Sequence, residues 1–158
     1  MRVVLAVLAM FVAGPALALS CIRPDVANTY KRAAEAEEIY VVIHGTLTFD
    51  QTLAPDNDLT NQNRPDTLIP ARLNGTSLSR DGFVSTFRRN ISLVLQCFGP
   101  WCGGAVSGAE YLAFLQKTDA GYRMIIDPCG SLVFPEPTQA QLDQARSCMR
   151  GQRCSPRQ

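Results

Sequence analysis

Apolar and polar positions alternate along the middle of the chain, which predicts β-strands. In the longest run, residues 39–49, Val41, Ile43 and Leu47 share the face assigned to the core, while Val42 and His44 share the outer face. Shorter strands are predicted at 68–73, 76–79, 83–87, 90–98, 111–116 and 122–126. The Asn-Gly pair at 74–75 and the Asp-Gly pair at 81–82 indicate hairpin turns between them.

Two helices are predicted at the ends of this β region. Asp25, next to Pro24, can cap a helix that runs to about Glu38. Thr138 and Gln141 have the spacing of a capping box and start a second helix, over about 139–149. Residues 50–66 are polar and proline-bearing and indicate a long loop. Five or six short strands with two helices predict a mainly β domain, either a closed barrel or a sandwich.

The first twenty residues have the pattern of a signal peptide. Arg2 precedes an apolar run over 3–13, and small residues at 16–20 allow cleavage after Ala18 or Ser20. The apolar run is shorter than the roughly 20 residues that cross a bilayer. We therefore expect residues 21–158 to form one domain that is secreted or periplasmic, with no membrane attachment. The alternative is a lipoprotein anchored through Cys21.

Charge gives no sign of a nucleic-acid partner. The chain has 15 basic and 14 acidic residues, and the predicted loss of Arg2 leaves a neutral domain without a basic block. A zinc site is not predicted either, because there is one histidine and no C-x-x-C motif. No cofactor is predicted.

The six cysteines all lie beyond residue 20, and in an exported chain an even number indicates disulfides. Six cysteines allow 15 pairings, and their spacing does not choose among them. Two short closures are available, and if both form, the remaining two cysteines make a long-range bridge. The bridges would then be Cys97–Cys102, Cys148–Cys154 and Cys21–Cys129.

Several short motifs occur in an order that is characteristic of one group of secreted domains. They are Cys21 and Pro24, Tyr30 with the alanines at 33–36, the strand sequence 41–47, Cys102-Gly103, the sequence 108–114 and Asp127-Pro128-Cys129-Gly130. In these motifs the chain resembles the netrin-like and tissue-inhibitor-of-metalloproteinase (TIMP-like) group. The resemblance implies a five-stranded OB-type barrel that binds a partner protein, with a metalloprotease as one class of partner.

The same resemblance assigns the contact to the start of the domain, at Cys21 and Ile22. The inhibitors of that group begin Cys-x-Cys, whereas this chain has Arg23 at the third position. Cys21 therefore matches either the metal-contacting first cysteine or the second, structural one.

Catalytic residues are not singled out by the sequence, so we expect a non-catalytic binding module. His44 is the single imidazole and lies on the outer face of its strand, which leaves a small exported hydrolase as the alternative. Trp101, between Cys97 and Cys102, is a further binding candidate. It would present an apolar tip to a partner or close one mouth of the barrel.

Overall fold

The computed structural model describes residues 19–56 and 58–156, so most of the predicted signal peptide, residues 1–18, lies outside the described part. The helices are α1 (Val26–Glu35) and α2 (Gln139–Met149), and a short 3-10 helix covers Gln51–Leu53. The strands are β1 (Ile39–Phe49), β2 (Thr67–Ser79), β3 (Gly82–Leu95), β4 (Cys97–Phe98), β5 (Trp101–Cys102), β6 (Glu110–Thr118), β7 (Gly121–Ile126) and β8 (Val133–Pro135). None of the described helices is long and apolar enough to cross a bilayer.

Five strands hydrogen-bond in a ring. β1 pairs with β2, β2 with β3, and β6 with β7, all antiparallel, while β3 and β7 pair in parallel over Ser92–Leu95. β6 then returns to β1 over Ile39–Thr46, and β8 adds to β6. The prediction of a mainly β, disulfide-bridged chain with two helices is confirmed.

The inside of the ring is the main hydrophobic core. Its fully buried side chains include Ile43 and Leu47 from β1, Leu73 from β2, Leu93 from β3 and Met124 from β7. These positions alternate along their strands, as the sequence pattern predicted. The packed ring is therefore the frame to which the segments connecting its strands are attached.

A second core lies on the outside of the ring, so the prediction that only one face of β1 is a core face was wrong. Val42 is 6% exposed because α1 and α2 cover this side of β1 and β6. Phe114 and Leu142 are also buried there. The two helices thus bury part of the outer face of β1. Strand alternation alone did not predict this burial.

The Asn-Gly pair at 74–75 is not a hairpin turn, as the sequence had suggested, but lies inside the continuous strand β2. Gly75 faces Gly45 across the β1–β2 ladder. A Cβ on Gly75 would lie 2.1 Å from the His44 carbonyl oxygen, and one on Gly45 would lie 2.4 Å from the Asn74 oxygen. Both glycines are needed because the two backbones approach too closely for a side chain.

Two further boundaries differ from the prediction. α1 ends at Glu35 rather than near Glu38, because Ala36 already has an extended backbone. The strands expected at 83–87 and 90–98 are continuous as β3 up to Leu95, with Arg88 and Arg89 within it, while Cys97 and Phe98 belong to the separate strand β4. The polar pair that suggested an interruption is accommodated because both side chains are exposed.

One end of the ring collects most of the connections. β1, β3 and β7 end there, while β2 and β6 begin there, as the pairing directions require. We call it the loop end. It comprises residues 20–24, 50–66, 96–109 and 127–132.

Candidate functional site

The loop end carries most of the large apolar side chains that are strongly exposed in the described chain. Eight large apolar residues are strongly exposed, and five of them belong to loop-end segments. The five are Ile22, Leu53, Leu59, Phe98 and Val106. Single exposed apolar side chains are common, but their concentration at one end of a domain is typical of an interaction surface.

The N-terminal segment is attached to the loop end by a disulfide. Cys21 is bonded to Cys129, 108 positions later, with 5.4 Å between their Cα atoms. The turn that holds Cys129 is itself fixed, because the Asp127 carboxylate accepts hydrogen bonds from the Cys129 and Ser131 backbone N–H groups. Ile22, next to the bridge, is 93% exposed. In this arrangement the Cys21 sulfur is not free to carry a thioether-linked lipid.

Two grooves flank this N-terminal segment, which forms a ridge between them. The helix groove, about 590 Å³, lies on the α1 side and is lined by charged residues of both signs, including Lys31, Arg32 and Glu35. The apolar groove, about 520 Å³, lies on the other side. Its walls include Ala105, Val106, Tyr111, Val133, Phe134 and Pro135. Arg23, Pro24 and Cys129 border both grooves.

Residues 105–107, two of which line the apolar groove, are held in place by hydrogen bonds from β1, β6 and the 3-10 helix. The Val106 N–H donates to the Tyr111 hydroxyl at 2.9 Å, and the Gln51 side chain donates to the Ala105 carbonyl at 3.0 Å. The Ser107 hydroxyl donates to the Phe49 carbonyl and accepts from the Phe49 N–H. Because these contacts fix the backbone, the exposed Val106 side chain is presented from a rigid segment.

Trp101 lies in a small hairpin that borders the same region. β4 and β5 pair Cys97 with Cys102 and Phe98 with Trp101, and the two cysteines form a disulfide. Trp101 is half-buried and Phe98 is 47% exposed. The hairpin continues into Gly103, where a Cβ would lie 2.0 Å from the Ile126 carbonyl oxygen. The chain must have glycine there to pass from the hairpin to the groove.

The structure therefore brings two of the predicted regions to one end of the molecule. Cys21 and Ile22 line the helix groove and directly precede the two ridge residues, Arg23 and Pro24, that border both grooves. The hairpin of Trp101 ends at Cys102, and the chain enters the apolar groove two residues later, at Gly104. Comparison with known protein families, with curated proteins and with solved structures finds no match. The function of the loop end therefore has to be inferred from the geometry of this chain itself.

His44 lies away from both grooves. Its Nε2 atom is buried and 3.4 Å from a carboxylate oxygen of Glu110, without the geometry of a hydrogen bond. Its ring also contacts Phe83 edge-on, with 5.8 Å between the ring centroids. The imidazole thus packs against the Phe83 side chain and the Glu110 carboxylate, on the outer side of the strand ring that the helices cover.

Charged groups at the loop end are positioned by local hydrogen bonds. The Thr52 hydroxyl and then its backbone N–H donate to Asp50, which lowers the pKa of that carboxyl below its ordinary value. The same arrangement, with Thr60 as donor, lowers the pKa of Asp58. Both carboxylates remain ionised and exposed near the apolar side chains. Among the described residues, no three histidine, cysteine or acidic side chains converge on a possible metal site.

Of the exposed apolar residues at the loop end, sequence reasoning missed Leu53 and Leu59 in the long loop as well as Phe98 and Val106. Phe98 and Val106 lie in the segment that carries the hairpin and the groove wall. Neither belongs to a motif, and their exposure depends on how 96–109 folds over the end of the ring. The only available signal was their position in a segment with four glycines and two cysteines, a composition typical of an exposed loop.

Proposed function

We propose that the chain is an exported, non-catalytic protein-binding module, built on an OB-type barrel of the netrin-like and TIMP-like kind, that binds its partner with the loop end. The observation that carries the proposal is the concentration of exposed apolar side chains at the loop end, to which the Cys21–Cys129 bridge attaches Ile22. Protein interfaces use such apolar anchors, surrounded by polar groups.

The strand pairing supports the OB-type barrel. Five strands pair in a ring, in the order β1, β2, β3, β7, β6 and back to β1. One of these pairs, β3 with β7, is parallel. An OB-fold is a five-stranded, partly open Greek-key barrel, and its binding surfaces include inter-strand loops. Three disulfides agree with folding in an oxidising compartment, as secretion or a periplasmic location requires.

The shape of the loop end supports protein rather than a small ligand as partner. Ile22 is 93% exposed beside the helix groove, and neither groove is an enclosed cavity. A ridge with two shallow grooves is complementary to a partner that wraps around it, whereas small molecules are held in concave sites that enclose most of their surface. The TIMP-like resemblance makes a metalloprotease one class of partner for Ile22.

Site-specific photo-cross-linking in the native compartment tests the proposal. A photoreactive phenylalanine analogue replaces Ile22, Trp101 or Val106 in turn, and replaces Ile39 as the control. Ile39 begins β1 at the opposite end of the ring, is the same residue type as Ile22 and is also strongly exposed, at 64%.

We expect an adduct with the same partner protein from the three loop-end positions and none from Ile39. Equal adducts from Ile39, or none from the three loop-end positions, would refute the proposal.

A further inference from the structure

A second binding surface is indicated by β3, whose outer edge is only partly used. β3 has fourteen residues and pairs with β2 along its length, but β7 pairs with it only over Ser92–Leu95. Within the described chain, no strand pairs with the other edge of residues 82–91, and no loop backbone hydrogen-bonds to it. Its peptide groups are available to an added strand.

The start of this edge is covered by α2, which leaves a defined open stretch. The Arg146 guanidinium lies over the Phe83 ring, 5.3 Å from its centroid. Beyond it lies the stretch 84–90, seven edge positions or roughly 23 Å at the usual rise per residue. Its ladder with β2 has a bulge at Val84 and is regular from Ser85 to Asn90. All are exposed or half-buried except Phe87, and Val84 is 60% exposed. The stretch contains neither the proline nor the lysine that often protect a free edge.

The charge of this stretch specifies the partner. Residues 67–109 contain four arginines and a single acid, Asp81. Arg88 and Arg89 are exposed, and neither forms an ion pair with a described residue. As neighbours in a strand they point to opposite faces of the sheet. An added strand with two consecutive acidic residues would therefore place one carboxylate beside each arginine.

We propose that the open edge of β3 binds an extended, acidic segment of a partner protein by strand addition, opposite Arg88 and Arg89. Backbone hydrogen bonds supply the pairing, and the two arginines select the sequence. A second copy of this chain fits less well, because symmetric pairing centred on the arginines places like charges opposite each other. The proposal uses no residue of the loop end and stands whether or not the loop end binds a protein.

The test uses the full exported domain with its disulfides intact, labelled for amide hydrogen exchange by NMR. The probe is a ten-residue peptide of alternating threonine and valine with a central aspartate–glutamate pair. One control peptide has a lysine pair at the centre, and another keeps the acids but carries N-methyl groups on consecutive amides, so that both of its edges are blocked. N-methylation preserves the charge and prevents strand pairing.

We expect the acidic peptide to slow exchange of the amides in 84–90, and neither control peptide to do so. The double variant Arg88→Glu/Arg89→Glu should bind the acidic peptide about tenfold more weakly and prefer the lysine peptide. Arg153→Glu in the C-terminal tail is the matched control and should bind like the wild type.

Three outcomes overturn the proposal. If the N-methylated peptide binds equally well, the arginines attract negative charge without strand pairing. If dextran sulfate displaces the acidic peptide and the N-methylated peptide protects the same amides, the surface binds polyanions in general. If exchange of 84–90 slows when the protein is concentrated without peptide, the edge pairs with a second copy of the chain.

Discussion

The close approach of β1 and β2 predicts that Gly75→Ala destabilises the domain strongly. The added Cβ would lie 2.1 Å from the His44 carbonyl oxygen and 2.5 Å from the Gly45 Cα. Ordinary contacts begin about 1 Å further out, and both neighbours are backbone atoms that cannot rotate away. The strands must separate locally, which weakens two or three ladder hydrogen bonds at about 1 kcal/mol each. We expect a loss of about 3 kcal/mol in the free energy of unfolding.

Two other glycines provide controls for this prediction. A Cβ on Gly104 would have no atom within 4 Å, and its backbone is in a region open to all residues, so Gly104→Ala should change stability by less than about 0.5 kcal/mol. Gly108 also has free space but a φ of +88°, so Gly108→Ala should cost about 1–2 kcal/mol through backbone strain alone. The three variants therefore separate the energetic cost of a steric contact from the cost of a strained backbone conformation.

Equilibrium urea unfolding measures these differences, followed by circular dichroism and by the fluorescence of Trp101, the single tryptophan. The expected order of destabilisation is Gly75→Ala, then Gly108→Ala, then Gly104→Ala. If Gly75→Ala is as stable as Gly104→Ala, the β1–β2 register described here is wrong.

Three further predictions follow from the bridges and the titratable groups. Replacing Cys21 and Cys129 by serine should cost about 5 kcal/mol, against about 2 kcal/mol for Cys148 and Cys154, because the first bridge closes 108 positions and the second six; unfolding of the two double variants compares them, and equal losses contradict the loop-entropy reasoning. The pKa of the Asp50 carboxyl should lie below that of a free aspartate, so its stabilising contribution is present above the unfolded-state pKa and lost as the pH falls through the folded-state pKa. In an NMR titration, Thr52→Val should raise this pKa, and an unchanged pKa would exclude the Thr52 hydroxyl as the cause of the shift. His44→Ala should leave partner binding at the loop end intact, as measured by cross-linking yield from Ile22, because His44 contacts Glu110 and Phe83 rather than the grooves; loss of function with the fold retained would favour the hydrolase alternative.

The fold was predictable where local signals and tertiary packing agree. Alternation along β1 placed Ile43 and Leu47 inside the ring, and the Thr138–Gln141 capping box marked the start of α2. The mainly β class with two helices followed from such signals. In each case the local pattern reports directly on which face of an element is buried.

The sequence pattern gave a wrong prediction where the same residue type can have different structural roles. Asn-Gly usually indicates a tight turn, but Gly75 serves a close contact between two backbones, and only the partner strand reveals that need. Val42 reads as an outward residue on its strand because the helices that cover it are distant in sequence. Long-range pairing decides both cases.

The candidate site was predictable only in part for the same reason. Cys21, Ile22 and Trp101 were identified from motifs and composition, whereas Val106 and the open edge of β3 depend on ring topology. The parallel pairing of β3 with β7 sets how much of β3 stays unpaired, and no local pattern encodes the length of that pairing.

The most direct test of the account is the affinity of the purified cross-linked partner for two matched variants of the domain, measured by calorimetry. Ile22→Asp places a charge on the ridge of the loop end, and Ile39→Asp makes the same change at the opposite end of the ring. The account predicts at least about tenfold weaker binding for Ile22→Asp, since losing a buried apolar anchor costs more than 1 kcal/mol, and unchanged binding for Ile39→Asp. If both variants bind like the wild type, the loop end is not the interface.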